Sequence, residues 1–320
     1  MRVLVTGGAG FIGSHLCDRL IADGHQVCVL DNLETGQLSN LEGAQASGQL
    51  AFINGSVLDA PLVERLVSEN DFTYHLAAAV GVFNILDKPL ASLMTNIRGT
   101  ENVLDASLKH SRPVLIASSS EVYGKNISDS LQEDDSRILG SPLMLRWSYS
   151  QAKAIDETLA FAFYQDANLQ VRIVRFFNTV GPRQLGAYGM VVPRFVEAAL
   201  ANKDIQIYGD GNQTRCFGHV ADIIDALIAV TSTDKTIGTV VNIGNSEEIS
   251  INDLASKIIA ATGSASKVVH VSYEQAYKVG FEDMERRVPN IDRIKELTGW
   301  APKRNLETII KDVADYIKSK

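Results

Sequence analysis

The first strand of the chain and the turn after it limit the possible folds more than any other stretch. Residues 2–5 form an apolar run that predicts a β-strand, and a glycine-rich turn then opens an amphipathic helix over residues 14–23. Such a turn lets backbone N–H groups approach a pyrophosphate closely, and the positive end of the helix dipole favours its negative charge. This arrangement predicts a Rossmann-type βαβ unit that binds a dinucleotide.

The residue that ends the second predicted strand indicates which dinucleotide binds. Asp31 follows the apolar residues 27–30, about 20 residues after the glycine turn, the spacing expected of a ribose-binding acid. Its carboxylate can accept hydrogen bonds from the adenosine ribose and would repel a 2′-phosphate, so we predict NAD as the cofactor in preference to NADP. The predicted NAD-binding residues are Gly7, Gly10, Phe11, Ile12, Gly13, Asp31, Asn32, Ser56, Val57, Leu76, Ala77, Ala78, Asn96, Ser118, Tyr149 and Lys153.

Strands and helices alternate from the start of the chain to residue 178. This alternation predicts an α/β fold with a parallel, doubly wound sheet that binds its ligands at the carboxyl ends of the strands. Beyond residue 178 short strands are interspersed with helices, which indicates a smaller mixed α/β lobe for the substrate. We therefore expect an NAD-binding Rossmann domain over residues 1–178 and a C-terminal substrate lobe over residues 179–320, with the chain able to cross between them more than once.

Composition limits the partners and the compartment. The net charge of −8 argues against nucleic acid as a general partner. The three cysteines are widely spaced, with neither metal-type spacing nor a disulfide pattern, which is consistent with a reducing compartment. No apolar run approaches the length of a membrane span, and Met1 leads directly into the first strand without room for a signal peptide. We expect a cytoplasmic protein that uses no metal and binds no membrane.

Two residues of a predicted helix carry the pattern of a hydride-transfer site. Tyr149 and Lys153 are four residues apart, so they lie on one face of the helix. A cation beside a phenol stabilises the phenolate and lowers the pKa of the tyrosine, so Tyr149 can take a proton from a hydroxyl group while hydride leaves to the cofactor. A run of serines ends the fifth predicted strand, and either Ser119 or Ser120 is expected to hydrogen-bond the reacting oxygen. Glu121, which follows them, completes the predicted catalytic residues.

Together these motifs resemble the extended short-chain dehydrogenase/reductase superfamily, and the resemblance covers essentially the whole chain. Residues 177–183 and 208–215 are similar to the nucleotide-sugar segments of that family. The resemblance implies that Asn178 and Arg215 hold the diphosphate of a UDP- or dTDP-sugar, a task that suits the cationic fork of arginine. It also implies that NAD stays bound while the sugar is oxidised at C4, transformed as a ketone and often reduced again. The expected substrate-binding residues are Val80, Glu121, Asn178, Arg183, Val192, Tyr208, Arg215, Asp283 and Arg287.

Differences from the family's subgroups narrow the reaction. Sugar 4,6-dehydratases carry an Asp-Glu pair after the fifth strand, and Ser120 stands in place of the aspartate here, which disfavours dehydration. Galactose-type 4-epimerases usually lack the glutamate and carry an Arg-x-Gly-Asp segment that this chain does not have. Glu121 and the segment around Arg287 look more like UDP-glucuronate decarboxylases and some UDP-glucuronate 4-epimerases. Either Arg183 or Arg287 is expected to face the sugar carboxylate.

Two reactions on a glucuronate remain. Once C4 is a ketone, the carboxylate on C5 belongs to a β-keto acid, which an epimerase must restrain and a decarboxylase allows to leave as carbon dioxide. Residues 139–149 look closer to the epimerases, so we favour a UDP-glucuronate 4-epimerase that forms UDP-galacturonate. The alternatives are a UDP-glucuronate decarboxylase that forms UDP-xylose or a 4-keto-pentose, a UDP-glucose 4-epimerase, and a non-catalytic NAD-binding sensor.

The predicted helices over residues 89–109 and 149–164 also suggest an oligomer. Both carry apolar residues on more than one face, among them Ile155, Leu159 and Phe163 in the second. Members of the resembled family often pair these helices into a four-helix bundle, which implies a homodimer.

Overall fold

A seven-stranded parallel sheet lies at the centre of the computed structural model, which describes residues 1–80, 88–186, 190–272, 284 and 286–320. Its strands are β1 (Arg2–Thr6), β2 (Gln26–Asp31), β3 (Leu50–Asn54), β4 (Phe72–His75), β5 (Val114–Ser119), β6 (Val171–Phe176) and β11 (Val240–Ile243). The spatial order is β11-β6-β5-β4-β1-β2-β3. Because β1 has β2 on one side and β4 on the other, the strand order reverses beside β1, and a crevice opens there at the carboxyl ends of the strands.

Helices cover both faces of this sheet. They are α1 (Phe11–Ala22), α2 (Glu42–Ala46), α3 (Ala60–Glu69), α4 (Pro89–Lys109), α5 (Ser148–Ala167), α7 (Val220–Thr231) and α9 (Asp292–Thr298). Successive residues of a strand point to opposite faces, so Val3 and Val5 pack with the residues of α1 and α7, whereas Leu4 packs with those of α3 and α4. The predicted doubly wound α/β sheet is therefore confirmed.

A second hydrophobic core forms the smaller lobe. It joins α6 (Val191–Leu200), α8 (Ile251–Thr262) and α10 (Leu306–Lys318) to the parallel pair β8 (Ile205–Tyr208) and β13 (Val268–Val271). Two further short pairs complete it: β7 (Thr179–Val180) with β10 (Gly218–His219), and β9 (Thr214–Cys216) with β12 (Glu248–Ser250). Three elements beyond residue 178, namely α7, β11 and α9, pack with the large sheet.

Local signals explain where several of these helices begin. Asp59 caps α3 by accepting a hydrogen bond from the N–H of Leu62, and Pro61 occupies its first turn. Ser250 caps α8 through the N–H of Asp253 in the same way. The helices of the described ranges include none with the length and apolar character that crossing a membrane requires.

Candidate active site

A cavity of about 540 Å³ lies at the carboxyl ends of the parallel strands and extends to the smaller lobe. Of the site residues predicted from sequence that the structure describes, all line it except Asn96 and Arg183. Residues that are far apart in sequence therefore meet at the crevice that the strand order creates.

The glycine turn forms one end of the cavity with little space for side chains. Gly7 has a φ of +72°, and a Cβ there would lie 2.8 Å from the backbone nitrogen of Ala77. A Cβ on Gly13 would lie 2.2 Å from the carbonyl oxygen of Gly7. No side chain caps α1 at Gly10, and the residues of its first turn line the cavity. A pyrophosphate fits such a cradle, because close backbone and the N-terminus of a helix both favour it.

Asp31 is held rigidly at the end of β2 beside this turn. Its Oδ2 accepts a hydrogen bond of 2.9 Å from the N–H of Ala9, and its Oδ1 accepts one of 2.8 Å from that of Leu33. Burial raises the pKa of Asp31, and the two N–H donors only partly oppose this. The carboxylate is thus fixed where an adenosine ribose is expected, in agreement with NAD as the cofactor.

Tyr149 lies at the start of α5, where its surroundings differ from those predicted. Burial raises the pKa of Tyr149, the charges of Glu121 and Asp156 raise it further, and a hydrogen bond with Ser119 lowers it less. The Nζ of Lys153 donates to Oδ2 of Asp156 at 3.0 Å, so the lysine belongs to an ion pair on the next turn of the helix. The sequence spacing correctly places Tyr149 and Lys153 on one helix face. It gives no indication that Asp156, one turn further on, forms an ion pair with the ammonium of Lys153.

Glu121 lies between two arginines. Arg146 donates from Nη1 to Oε2 of Glu121 at 2.6 Å and from Nη2 to Oε1 at 3.2 Å. The Nη2 of Arg287 lies 2.9 Å from Oε1 of Glu121, and its Nη1 donates to Oγ of Ser120 at 3.2 Å. Burial by itself would raise the pKa of Glu121, but the charges of Arg287 and Arg146 outweigh it and lower the pKa to about 2. Glu121 is therefore an anion at neutral pH.

The sequence motifs did not indicate two arginines that line the cavity. Arg146 lies in a 3₁₀ turn just before α5, and its position close to Tyr149 in the sequence was the available signal. Arg194 of α6 stacks over the ring of Tyr208, with 4.1 Å between its guanidinium carbon and the ring centroid. Together with the buried Arg215, Arg194 makes the smaller lobe's wall of the cavity cationic, which suits a diphosphate.

Two of the expected ligand-binding side chains also have structural hydrogen bonds. The hydroxyl of Ser118 donates to Glu157, which in turn binds Arg175 through bonds of 2.7 and 2.9 Å. The Nδ2 of Asn178 donates to the carbonyl oxygen of Cys216 at 3.0 Å. Both side chains hold the cavity wall in place as well as lining it.

Two of the predicted site residues that the structure describes, Asn96 and Arg183, do not line the cavity. Both polar atoms of the Asn96 side chain bind the backbone of Ala79, at 2.9 and 3.4 Å, so Asn96 fixes the segment after β4 instead of facing the cofactor site. Arg183 has a φ of +70° and forms an ion pair of 2.7 Å with Asp18 on α1, which turns its guanidinium away from the cavity. Asp283 lies outside the described residues.

The fold and site define the class of protein. The protein is an NAD-dependent enzyme of the short-chain dehydrogenase/reductase type. The features that define this class are the Rossmann sheet with its glycine cradle, the acid that ends β2, and the Tyr149–Lys153 pair beside Ser119. The profile of the GDP-mannose 4,6 dehydratase family matches residues 4–313, so the chain belongs to this family of NAD-dependent nucleotide-sugar epimerases and dehydratases.

Relatives in this family include decarboxylases and epimerases. The chain is 41% identical over 318 residues to the UDP-N-acetyl-alpha-D-glucosaminuronate decarboxylase of Bacillus cytotoxicus, covering 99% of this chain and 98% of that protein. It is 36% identical over 318 residues to UDP-glucuronic acid decarboxylase 1 of Xenopus tropicalis, covering 99% and 72%. Among solved structures, the UDP-glucuronic acid 4-epimerase from Bacillus cereus in complex with UDP-glucuronic acid and NAD has a TM-score of 0.90 at 29% identity, covering 100% of this chain and 99% of that chain.

Proposed function

We propose that the protein is an NAD-dependent decarboxylase of a UDP-hexuronate. The observation that carries the proposal is the largely buried Glu121 carboxylate, bound by Arg146 and Arg287 beside Tyr149. The two curated relatives described above, both decarboxylases, support the same reaction. The sequence motifs favour the 4-epimerase, whereas these findings favour the decarboxylase alternative.

The chain's own residues account for the first step at C4. Tyr149 takes the proton of the C4 hydroxyl, and Ser119 holds the same oxygen through its hydroxyl. NAD, when bound in the glycine cradle beside Asp31, supplies the acceptor and later the donor of the hydride. The resulting ketone makes the C5 carboxylate part of a β-keto acid. The C5–C6 bond then breaks, carbon dioxide leaves, the electron pair moves into the C4 carbonyl, and a proton is added at C5.

The cluster of Glu121, Arg146 and Arg287 explains why the carboxylate would leave. Its two guanidinium groups attract the carboxylate of the substrate and orient it next to Tyr149. The ionised Glu121 repels the same carboxylate across a buried site, where charges interact strongly. Loss of neutral carbon dioxide removes this repulsion, whereas an epimerase has to keep the carboxylate bound. Because its pKa is about 2, Glu121 acts as a fixed negative charge and not as the proton donor to C5.

The substrate we favour is UDP-N-acetylglucosaminuronate, with UDP-glucuronate second. The match with the relative named for the N-acetylated sugar covers both proteins almost end to end, at 41% identity. The glucuronate enzyme of Xenopus tropicalis is 36% identical to this chain. The 4-epimerase is the second candidate reaction, since a UDP-glucuronic acid 4-epimerase has the same fold over the whole chain.

We also propose a homodimer through α4 and α5. Apolar side chains remain exposed on both helices: Leu90 and Leu108 on α4, and Ile155 and Phe161 on α5. The two helices pack against each other along the same side of the sheet, so a second copy of the pair would cover these side chains.

Isotope release tests the reaction directly. The purified protein is incubated with NAD and either UDP-glucuronate or UDP-N-acetylglucosaminuronate, each labelled with ¹³C at C6, and followed by NMR. Release of the label as carbon dioxide or bicarbonate, with a UDP-pentose or 4-keto-pentose product, supports the decarboxylase. Label retained in a nucleotide sugar with a new anomeric signal would establish the epimerase. An unchanged spectrum with both sugars would contradict both reactions on these uronates.

A further inference from the structure

A second buried carboxylate lies beside the Tyr149–Lys153 pair. Asp156 is one helical turn beyond Lys153 on α5, and the Nζ of Lys153 donates to its Oδ2 at 3.0 Å. The side chains are 2% and 0% exposed, so neither charge reaches solvent. Aspartate and lysine are almost never buried this completely unless they are paired, and the Tyr-x-x-x-Lys spacing does not include this position.

His75 on β4 is another buried titratable group near this ion pair, and both of its ring nitrogens are hydrogen-bonded. Nδ1 of His75 is 2.8 Å from the hydroxyl of Thr6, and Nε2 of His75 is 3.2 Å from that of Thr100. Burial and the charge of Lys153 lower the pKa of His75 to about 3, so the ring is neutral and has one donor and one acceptor nitrogen. Burial raises the pKa of Asp156, and the charge of Lys153 opposes this rise. The Oδ1 of Asp156 has no hydrogen-bond partner among the described residues.

We propose that Asp156 is a positioning residue for the Tyr149–Lys153 pair, which holds the ammonium of Lys153 at the cavity wall and places a negative charge near the phenol. The inference rests on the proposed role of Tyr149 as the group that takes and returns the proton. Other charged or titratable groups around this site are His75 on β4, Glu157 on α5 with its partner Arg175, and Glu121 after β5 with its partners Arg146 and Arg287.

The charge of Asp156 has a defined consequence for Tyr149. Together with burial and Glu121, it raises the pKa of the phenol, which strengthens the affinity of Tyr149 for the proton that it takes from the C4 hydroxyl. Neutralising Asp156 should therefore lower the pH at which Tyr149 ionises.

The test measures Tyr149 directly, without relying on turnover. Protein labelled with ¹³C at the ζ carbon of tyrosine is titrated with NAD present, and the Tyr149 resonance is assigned from Tyr149→Phe. In Asp156→Asn we expect the Tyr149 titration to move down by about one pH unit, as removal of a neighbouring like charge produces. The control is Asp166→Asn, which removes an exposed carboxylate from the same helix and should leave the titration unchanged.

A second variant separates positioning from folding. Asp156→Glu keeps the charge and should titrate close to wild type even if its stability falls, whereas Asp156→Asn should differ although its circular dichroism is native. If Asp156→Asn does not fold, a Tyr149 titration in Asp156→Glu that is lower than in wild type by one unit would overturn the proposal. Identical Tyr149 curves in wild type and folded Asp156→Asn would overturn it as well.

Turnover gives an independent reading. The acid limb of the pH profile of kcat/KM reports protonation of the base in the free enzyme, so it should move to lower pH in Asp156→Asn and not in Asp166→Asn. If no UDP-hexuronate is turned over by wild type, the proposed function fails, while the NMR titration still decides the role of Asp156.

Discussion

At the scale of single residues, Tyr149 and Glu121 line the same cavity, but their surroundings move their pKa values in opposite directions. The pKa of Tyr149 is raised by burial and by nearby anions, whereas two arginines lower that of Glu121 to about 2. Pairs of titratable groups whose environments separate their pKa values are a common sign of divided roles in catalysis. Tyr149 is thus suited to proton transfer, and Glu121 to a fixed charge.

Removal of the phenol hydroxyl should stop the reaction at its first step. We expect Tyr149→Phe to lower turnover by about 10²–10⁴-fold, because general acid–base catalysis typically contributes that much. Formation of NADH, followed by its absorbance after mixing with substrate, and the amount of product are the measurements. Tyr316→Phe on α10, outside the cavity, is the control. Near-normal turnover of Tyr149→Phe would show that another group takes the proton.

Glu121 should affect loss of carbon dioxide more than oxidation at C4. In Glu121→Gln the shape of the side chain is kept but the charge that repels the substrate carboxylate is lost, so carbon dioxide release should fall while NADH still forms. Both are measured in single turnovers with substrate labelled at C6. The control is Glu157→Gln, which breaks the ion pair between Glu157 and Arg175 outside the cavity lining. This variant should not separate oxidation at C4 from loss of carbon dioxide. Equal losses of both steps in Glu121→Gln would contradict this role.

At the scale of elements, the turn between β1 and α1 depends on the absence of side chains. A Cβ on Gly13 would lie 2.2 Å from the Gly7 carbonyl oxygen, whereas one on Gly43 would have no atom within 4 Å. We expect Gly13→Ala to lower the free energy of unfolding by about 1–3 kcal/mol, the usual effect of overpacking, and to weaken NAD binding measured by calorimetry. Gly43→Ala is the matched control. Unchanged NAD affinity in Gly13→Ala would argue against this cradle as the pyrophosphate site.

Helix α5 connects the site to the proposed dimer surface. Tyr149, Lys153 and Asp156 are on its cavity side, and Ile155 and Phe161 remain exposed elsewhere on it. Phe161→Glu should convert a dimer into a monomer, because it places a charge in a buried apolar contact. Light scattering at micromolar concentration measures the mass, and Ile127→Glu, at a 93% exposed residue of a loop, is the control. A monomeric wild-type protein would rule out the dimer.

At the scale of the whole molecule, the Glu121 cluster joins three distant parts of the chain and contributes to stability in acid. Arg146 is 25 residues from Glu121 in sequence, and Arg287 is 167 residues from the neighbouring Ser120. The cluster therefore connects the segment after β5 both to the start of α5 and to the segment before α9. Its loss should lower the stability of the whole fold and not only change the cavity.

The pH dependence follows from the lowered pKa of Glu121. The folded value is about 2 and the ordinary value is 4.5, so the stabilisation is present above pH 4.5 and is lost as the pH falls toward 2. The difference corresponds to about 3 kcal/mol at neutral pH. Urea titrations between pH 5 and about 3 should therefore show a steeper loss of unfolding free energy in wild type than in Glu121→Gln. Parallel losses in the two proteins would contradict a stabilising ion cluster.

Much of the fold and about half of the chemistry of the site followed from short stretches of sequence. The glycine turn, Asp31 at the end of β2, the Tyr149–Lys153 spacing and the alternation of strands and helices are set by backbone geometry and side-chain period over a few residues. These patterns predicted the doubly wound sheet, the NAD cofactor and the residues that meet at the strand ends.

Only the tertiary structure decided the partners of the charged side chains. Arg287 and Arg183 were equally plausible partners of the sugar carboxylate in sequence, but Arg287 pairs with Glu121 and Arg183 pairs with Asp18. The ammonium of Lys153, expected beside the phenol, pairs with Asp156. The pairing of β11 with β6 at the edge of the large sheet was also decided by the tertiary structure. Local periodicity fixes which residues share a helix or strand face, but contacts between residues far apart in sequence depend on how the elements pack, and a single sequence carries no local signal for that.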